Sequence, residues 1–250
     1  MNESKNIFWA CFSIIVGLAT VIAAVIAILS YFDIRIPWPF WEDPSAGEVV
    51  EVGQENKALD NTDGIMEPSP YCVNLGLSVR WNKRNLGALY PEEYGDYYAW
   101  GEIETKSTYS WSNYKWCKGF SEQPLKYGPV DEKYVLDPSD DVAYRRGMWR
   151  MPTAKEMEEL VTRCHWTWIT LNGVKGYNVE GPNGNSIFLP AAGFRSNGVI
   201  KCVGEYGRYW ANSAHQNLPQ AAYFIGFTPE EVELSANERF YGHTIRPVTP

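Results

Sequence analysis

The sequence predicts an α+β domain of short antiparallel strands, one or two helices and long loops, preceded by a single transmembrane helix. Three observations lead there. Residues 6–32 carry no charge, residues 33–70 are acidic and broken by Pro and Gly, and residues 71–250 combine many aromatic residues with frequent turn signals and one strong helix start. The chain therefore divides into a tail 1–6, a spanning helix 7–32, a flexible linker 33–70 and a folded domain 71–250.

The spanning helix follows from length and flanks. At about 1.5 Å rise per residue, the run exceeds the roughly 30 Å hydrocarbon core of a bilayer. Trp9 lies near one end, and Tyr31, Phe32, Trp38, Phe40 and Trp41 cluster beyond the other, as interfacial aromatic residues do. A cleaved signal peptide fits less well, because its apolar segment spans only about 7–15 residues and Ile28-Leu29-Ser30-Tyr31 offers no small-x-small cleavage site. Cys11 stands at the start of the run, which fits packing rather than lipid attachment. Lys5 and the terminal amine face Arg35 across the membrane, so the positive-inside rule mildly favours a cytoplasmic N-terminus and an exported domain.

The linker holds nine acidic residues against Arg35 and Lys57, which accounts for most of the formal charge of −8. From Glu42 to Pro70 it has no aromatic residue, so it buries too little apolar surface to offset its ordering entropy. The expectation is a spacer reaching about 30 Å.

The domain is long enough for one substantial core. Its 19 Lys and Arg nearly balance 20 Asp and Glu, without a basic face, which argues against a nucleic-acid partner. Thr153 with Glu156 makes a capping box, and Met157, Leu160, Val161 and Cys164 follow at helical spacing, so a helix is expected near 153–164. A second, shorter helix is expected after Pro91, where Glu92 and Glu93 suit a helix N-terminus. Tyr177 and Val179 alternate into Pro182-Asn183-Gly184-Asn185, and Ile187 and Leu189 alternate out, which describes a hairpin. Leu75-Leu77-Val79-Trp81, Tyr223-Ile225-Phe227 and 244–248 read as further strands.

Candidate chemistry is sparse. Cys72, Cys117, Cys164 and Cys202 permit two disulfides in an exported domain, in any of three pairings. His165, His215 and His243 are too scattered for a local metal motif, and Cys164 beside His165 sits at neighbouring positions that point apart. Asp137, Asp140 and Asp141 offer hard oxygen ligands for calcium but lack fixed loop spacing, so a solvated acidic turn is preferred. Glu102 and Glu104 would share a strand face as a glycosidase pair does, although an exposed strand end explains them equally. Neither G-x-S-x-G nor a Gly-Lys-Ser/Thr phosphate loop is present. No cofactor, metal site or catalytic residue is expected.

Several ordered stretches carry a resemblance. They are Val73-Asn74-Leu75-Gly76-Leu77-Ser78-Val79-Arg80-Trp81, Glu93-Tyr94-Gly95-Asp96-Tyr97-Tyr98-Ala99-Trp100-Gly101-Glu102 and Trp149-Arg150-Met151-Pro152-Thr153. Gly181-Pro182-Asn183-Gly184-Asn185-Ser186-Ile187-Phe188-Leu189-Pro190-Ala191-Ala192-Gly193, Tyr209-Trp210 and Ile245-Arg246-Pro247-Val248 follow. Together they span nearly all of 71–250, and this part of the chain resembles the Fibrobacter succinogenes major paralogous domain family. The resemblance implies a C-type-lectin-like fold, related to that of the formylglycine-generating enzyme, with paired terminal strands and a loop-rich half that presents a ligand surface. It implies a binding module of exported proteins of the bacterial cell envelope, common in gut Bacteroidetes. In similar domains the variable ligand face lies near the C-terminus, which maps here to 208–241 and makes Arg208, Tyr209, Asn212, His215, Tyr223, Asn237, Arg239 and Tyr241 candidate contacts for a glycan or protein ligand. Either Tyr209 or Tyr223 would serve equally well as a core residue.

Departures narrow the inheritance. A calcium-dependent lectin site needs Glu-Pro-Asn or Gln-Pro-Asp with Trp-Asn-Asp, whereas this chain has Glu180-Gly181-Pro182-Asn183 and Trp210-Ala211-Asn212. The closely placed C-terminal cysteine pair of formylglycine-generating enzymes has no counterpart after Cys202. The expected function is thus a membrane-anchored, extracytoplasmic, non-catalytic binding module. The alternative is a structural or assembly protein of the envelope, with a glycoside hydrolase or formylglycine-generating enzyme behind both.

Overall fold

The two ends of the domain meet in one sheet. Strand β2 (Arg80–Asn82) lies between β1 (Cys72–Asn74) and β11 (Val248–Thr249), antiparallel to both, with Trp81 opposite Val73 and Val248. The computed structural model describes residues 71–119, 124–147 and 150–250. The tail 1–6, the spanning helix 7–32 and the linker 33–70 expected from sequence lie outside the described residues, among which no helix is long and apolar enough to cross a membrane.

Two further three-stranded antiparallel sheets supply the bulk of the architecture. In one, β4 (Val174–Glu180) is flanked by β3 (His165–Leu171) and β5 (Ser186–Pro190). The expected hairpin is its β4–β5 pair, closed by Gly181 N–H to Asn185 O at 2.8 Å and Gly184 N–H to Gly181 O at 2.9 Å. Gly181 has no substitute there, since a Cβ would lie 2.0 Å from Leu75 O. In the other sheet, β9 (Ala221–Phe227) is flanked by β8 (Gly207–Ala214) and β10 (Val232–Glu238). A small hairpin, β6 (Phe194–Ser196) with β7 (Val199–Lys201), completes the strands.

Among the described residues helix is confined to a short α1 (Val142–Arg145), capped by Asp141, and to α2 (Ala154–Arg163), apart from one 3-10 turn at Trp111–Asn113. Helix α2 is the helix that the capping box predicts. Glu156 N–H donates to Thr153 Oγ1 at 3.2 Å, Thr153 N–H donates to Glu156 Oε2 at 2.8 Å, and Arg150 pairs with the same carboxylate at 2.6 Å. Its buried face, Met157 and Leu160, packs with Tyr209, Ile225, Phe227 and Trp81 in the larger core. A second core, with Trp100, Tyr98, Tyr127, Trp210 and Phe224, lies beyond the opposite face of β8 and β9.

Three local expectations are corrected. After Pro91 the chain makes a turn, not a helix, because Glu93 turns its carboxylate back to accept from Leu89 N–H and Tyr90 N–H. The run 75–81 is not one strand: Gly76 takes a left-handed φ of +76°, and β2 starts only at Arg80. In 244–248 only Val248 belongs to a strand, since Thr244 makes a single bridge and Arg246 is buried.

Candidate functional site

The strand period of two sorts the predicted contacts into faces. Tyr209, Ile225 and Leu234 are in register across β8–β9–β10 and turn toward α2. Arg208, Gly226 and Glu233 form the neighbouring row, and Trp210, Phe224 and Ser235 the next on that same opposite face. Asn237, opposite Ala222, extends this face. The returning chain 241–243 then covers its inner part.

His243 is the centre of that cover. Its ring stacks on Trp210 at 3.9 Å and 20°, with Phe224 at 5.1 Å and the parallel ring of Tyr241 at 6.3 Å. Asn237 Nδ2 lies 3.3 Å from His243 Nε2, and the buried Nδ1 has no partner among the described residues. Burial, reinforced by the positive charge of Arg208, holds this imidazole well below its ordinary pKa, so it is neutral.

At the open edge Arg208 is only partly exposed, and its guanidinium lies 4.0 Å over the ring of Phe194 and 5.7 Å from that of Phe224. Phe194 in turn meets Tyr241 edge-on at 5.7 Å. The Arg208 side chain makes no hydrogen bond or ion pair among the described residues; burial lowers its pKa, although the group stays charged. A recess of about 100 Å³ opens beside it, lined also by Tyr206, Thr228, Glu231 and Glu233. The structure therefore brings Arg208, Asn237 and Tyr241 together around His243.

The other five predicted contacts lie elsewhere. Tyr209 is 1% exposed, donates its hydroxyl proton to Pro190 O at 2.7 Å and has its pKa pushed up to about 12 by burial. Asn212 is buried, its Oδ1 accepting from Ser213 Oγ at 3.0 Å. Arg239 is 0% exposed, stacks 4.6 Å over Trp100 and spends its donors on the carbonyls of Ala221, Lys126 and Tyr127. Tyr209 and Arg239 are framework, because their side-chain polar groups are spent inside the core, and Asn212 is buried with its Oδ1 spent on Ser213. His215 and Tyr223 pair with each other at 5.0 Å, Tyr223 on the α2 side of the sheet, and His215 Nδ1 accepts from Asn217 N–H and Leu218 N–H.

The remaining chemical candidates also resolve into structure. Glu102 is buried against Lys106 at 2.8 Å while Glu104 is exposed, and neither lies on a strand, so they do not face a shared substrate. Lys126 bridges Asp137 and Asp140, both at 2.7 Å, and Tyr127 and Lys115 also reach Asp140. The Lys126 and Lys133 hydrogen bonds hold Asp137 down at about 2; for Asp140, Lys126 and Tyr127 outweigh the raising effect of burial. Asp141 instead caps α1 and accepts from Met151 N–H at 2.9 Å. Among the described residues no group of His, Cys, Asp and Glu is placed to hold a metal. Cys72, Cys117, Cys164 and Cys202 are free thiols, so neither permitted disulfide forms, and burial pushes Cys164 up to about 11, far from a reactive thiolate beside the exposed His165.

Sequence reasoning missed Phe194, Phe224 and His243. The alternation of β9 could have placed Phe224 opposite Ile225, but nothing local announces that His243 folds over Trp210. Comparison with protein-family models, with curated proteins and with solved structures found no match.

Proposed function

We propose that this chain is a membrane-anchored, extracytoplasmic, non-catalytic binding module of C-type-lectin-like fold, akin to the Fibrobacter succinogenes major paralogous domains of the bacterial envelope, that captures a glycan or protein ligand. Arg208, Tyr241 and Asn237, with the ring of Phe194, form the contact face. The observation that carries this reading is the guanidinium of Arg208, which makes no hydrogen bond or ion pair among the described residues. A partly desolvated charge that meets ring faces rather than acceptors among the described residues keeps its donors available to a ligand acceptor. Phe194, edge-on to Tyr241, and Tyr241, parallel to His243, hold the surroundings rigid, so little ordering entropy opposes binding.

The test is a glycan and surface-protein array probed with the purified full-length protein, with and without a calcium chelator. Specific capture that Arg208→Ala or Tyr241→Ala abolishes, with unchanged melting temperature and no chelator effect, is the expected result. Capture indifferent to both substitutions removes this face from the function.

A structural or assembly role is the second reading, favoured by an exposed apolar cluster at Val199 (52%), Ile200 (42%) and Val203 (42%). Sedimentation separates the two: concentration-dependent self-association lost in Ile200→Ser supports assembly.

A further inference from the structure

A cleft of about 360 Å³ lies on the other side of β6 from the Arg208 face, and no sequence motif announces it. Three remote segments wall it: Tyr94, Asp96 and Tyr97; Thr105, Lys106 and Tyr109; and Arg195 with Ile200. Phe194 and Arg195 are consecutive on β6, so their side chains leave opposite faces, Phe194 toward Tyr241 and Arg195 toward Tyr97. The volume falls at the lower end of the roughly 300–1,000 Å³ typical of small-ligand clefts.

The floor is rigid. Tyr97 donates its hydroxyl proton to Ala192 O at 2.6 Å, and Tyr109 donates its own to Tyr97 O, so both rings are fixed before any ligand arrives. The charges do not cancel. Lys106 is paired with Glu102 at 2.8 Å. Asp96 Oδ2 accepts from Tyr98 Oη at 3.1 Å, and that hydroxyl also accepts from Arg146 Nη2 at 3.1 Å, which places a compensating cation behind the carboxylate. Arg195 is left over: its guanidinium lies 5.4 Å over the Tyr97 ring and makes no side-chain hydrogen bond or ion pair among the described residues.

We propose that this cleft binds a sugar residue bearing a carboxylate, a hexuronate or similar acidic saccharide. A planar guanidinium with unspent donors matches a carboxylate in bidentate geometry. The partly buried Tyr94 ring and Ile200 give the C–H face of a pyranose an apolar wall, while Thr105 and the second oxygen of Asp96 offer partners to its hydroxyl groups. This site rests on the reading of the domain as a binding module but not on the Arg208 face.

The experiment is isothermal titration of the full-length protein, unsubstituted and as Arg195→Ala, Arg195→Lys and Arg208→Ala, with a digalacturonate, the neutral galactose disaccharide and acetate. Digalacturonate should bind at least about 10-fold more tightly than either of the others. Arg195→Ala should erase that preference and Arg195→Lys keep part of it, since a point charge replaces the fork. Arg208→Ala should leave it unchanged, and raising the salt to about 500 mM should weaken it. Equal affinity for the neutral disaccharide, equal affinity for acetate, no binding, or loss in Arg208→Ala rather than Arg195→Ala overturns the proposal. Array capture that depends on Arg208 would survive each of those outcomes, so the two readings fail separately.

Discussion

Four arginines of this domain divide into two environments. Arg246, buried in the larger half near the terminal strands, donates to Asn85 Oδ1, Asn82 O and Phe188 O at 2.9, 3.0 and 2.8 Å, and Arg239 is spent on three carbonyls. Arg208 and Arg195, on opposite sides of β6, lean on aromatic rings and spend no side-chain donor on the described residues. The same side chain is a clamp in one place and an open hand in the other. Burial alone does not separate them, because Arg208 is itself substantially desolvated. What separates them is the supply of acceptors: packing brings Asn85 Oδ1 and the carbonyls of Asn82 and Phe188 to Arg246, and the carbonyls of Ala221, Lys126 and Tyr127 to Arg239, whereas it brings ring faces to Arg208 and Arg195.

This contrast can be broken most forcefully at Arg246. Arg246→Met should destabilise the domain by about 3–5 kcal/mol, because three buried acceptors lose their donor at once. At roughly 2–4 °C per kcal/mol, thermal unfolding should shift down by about 10 °C. Arg239→Met should behave similarly; a shift within the noise for either would mean that the clamps are ornamental.

The next effect is pH dependence. His243 is neutral in the fold and its pKa is depressed there, while in the unfolded chain it titrates near 6.5. The unfolded state therefore binds the extra proton as pH falls, and stability present above about pH 6.5 declines below it by at most about 1.4 kcal/mol per pH unit. His243→Phe, which keeps a ring on Trp210, should flatten that decline between pH 7 and 5. An unchanged profile would assign acid sensitivity to other groups.

Smaller still, Thr153→Ala should cost about 1 kcal/mol through the lost N-cap of α2, measurable by denaturant midpoint. Smallest of all, Arg208→Met should move stability by less than about 1 kcal/mol, since its guanidinium has no hydrogen bond to lose among the described residues. A loss comparable with that of Arg246→Met would erase the distinction and turn Arg208 into a third clamp.

Legibility in the sequence tracked distance along the chain. The start of α2 was readable because Thr153 and Glu156 satisfy each other's backbone N–H groups within one turn. The β4–β5 hairpin was readable because its turn residues and alternating flanks lie within a dozen positions. The helix expected after Pro91 failed within the same range, since Glu93 had a competing local partner in the N–H groups of Leu89 and Tyr90. Of the candidate contacts, Arg208, Asn237 and Tyr241 converge, while Tyr209 and Arg239 turn inward on partners that only folding supplies.

The sequence by itself determined the elements whose stabilising contacts are local: one capped helix, one hairpin, and the alternation of Tyr223, Ile225 and Phe227 that marks β9 as a strand. Tertiary structure decided which arginine is spent on acceptors and which leans on rings, that His243 is stacked and neutral, and that Tyr97, Tyr109 and Arg195 share a cleft. The reason is physical: a polar side chain takes its role from the acceptors and charges that packing brings to it, and those come from residues as far apart in sequence as Asn82 and Arg246.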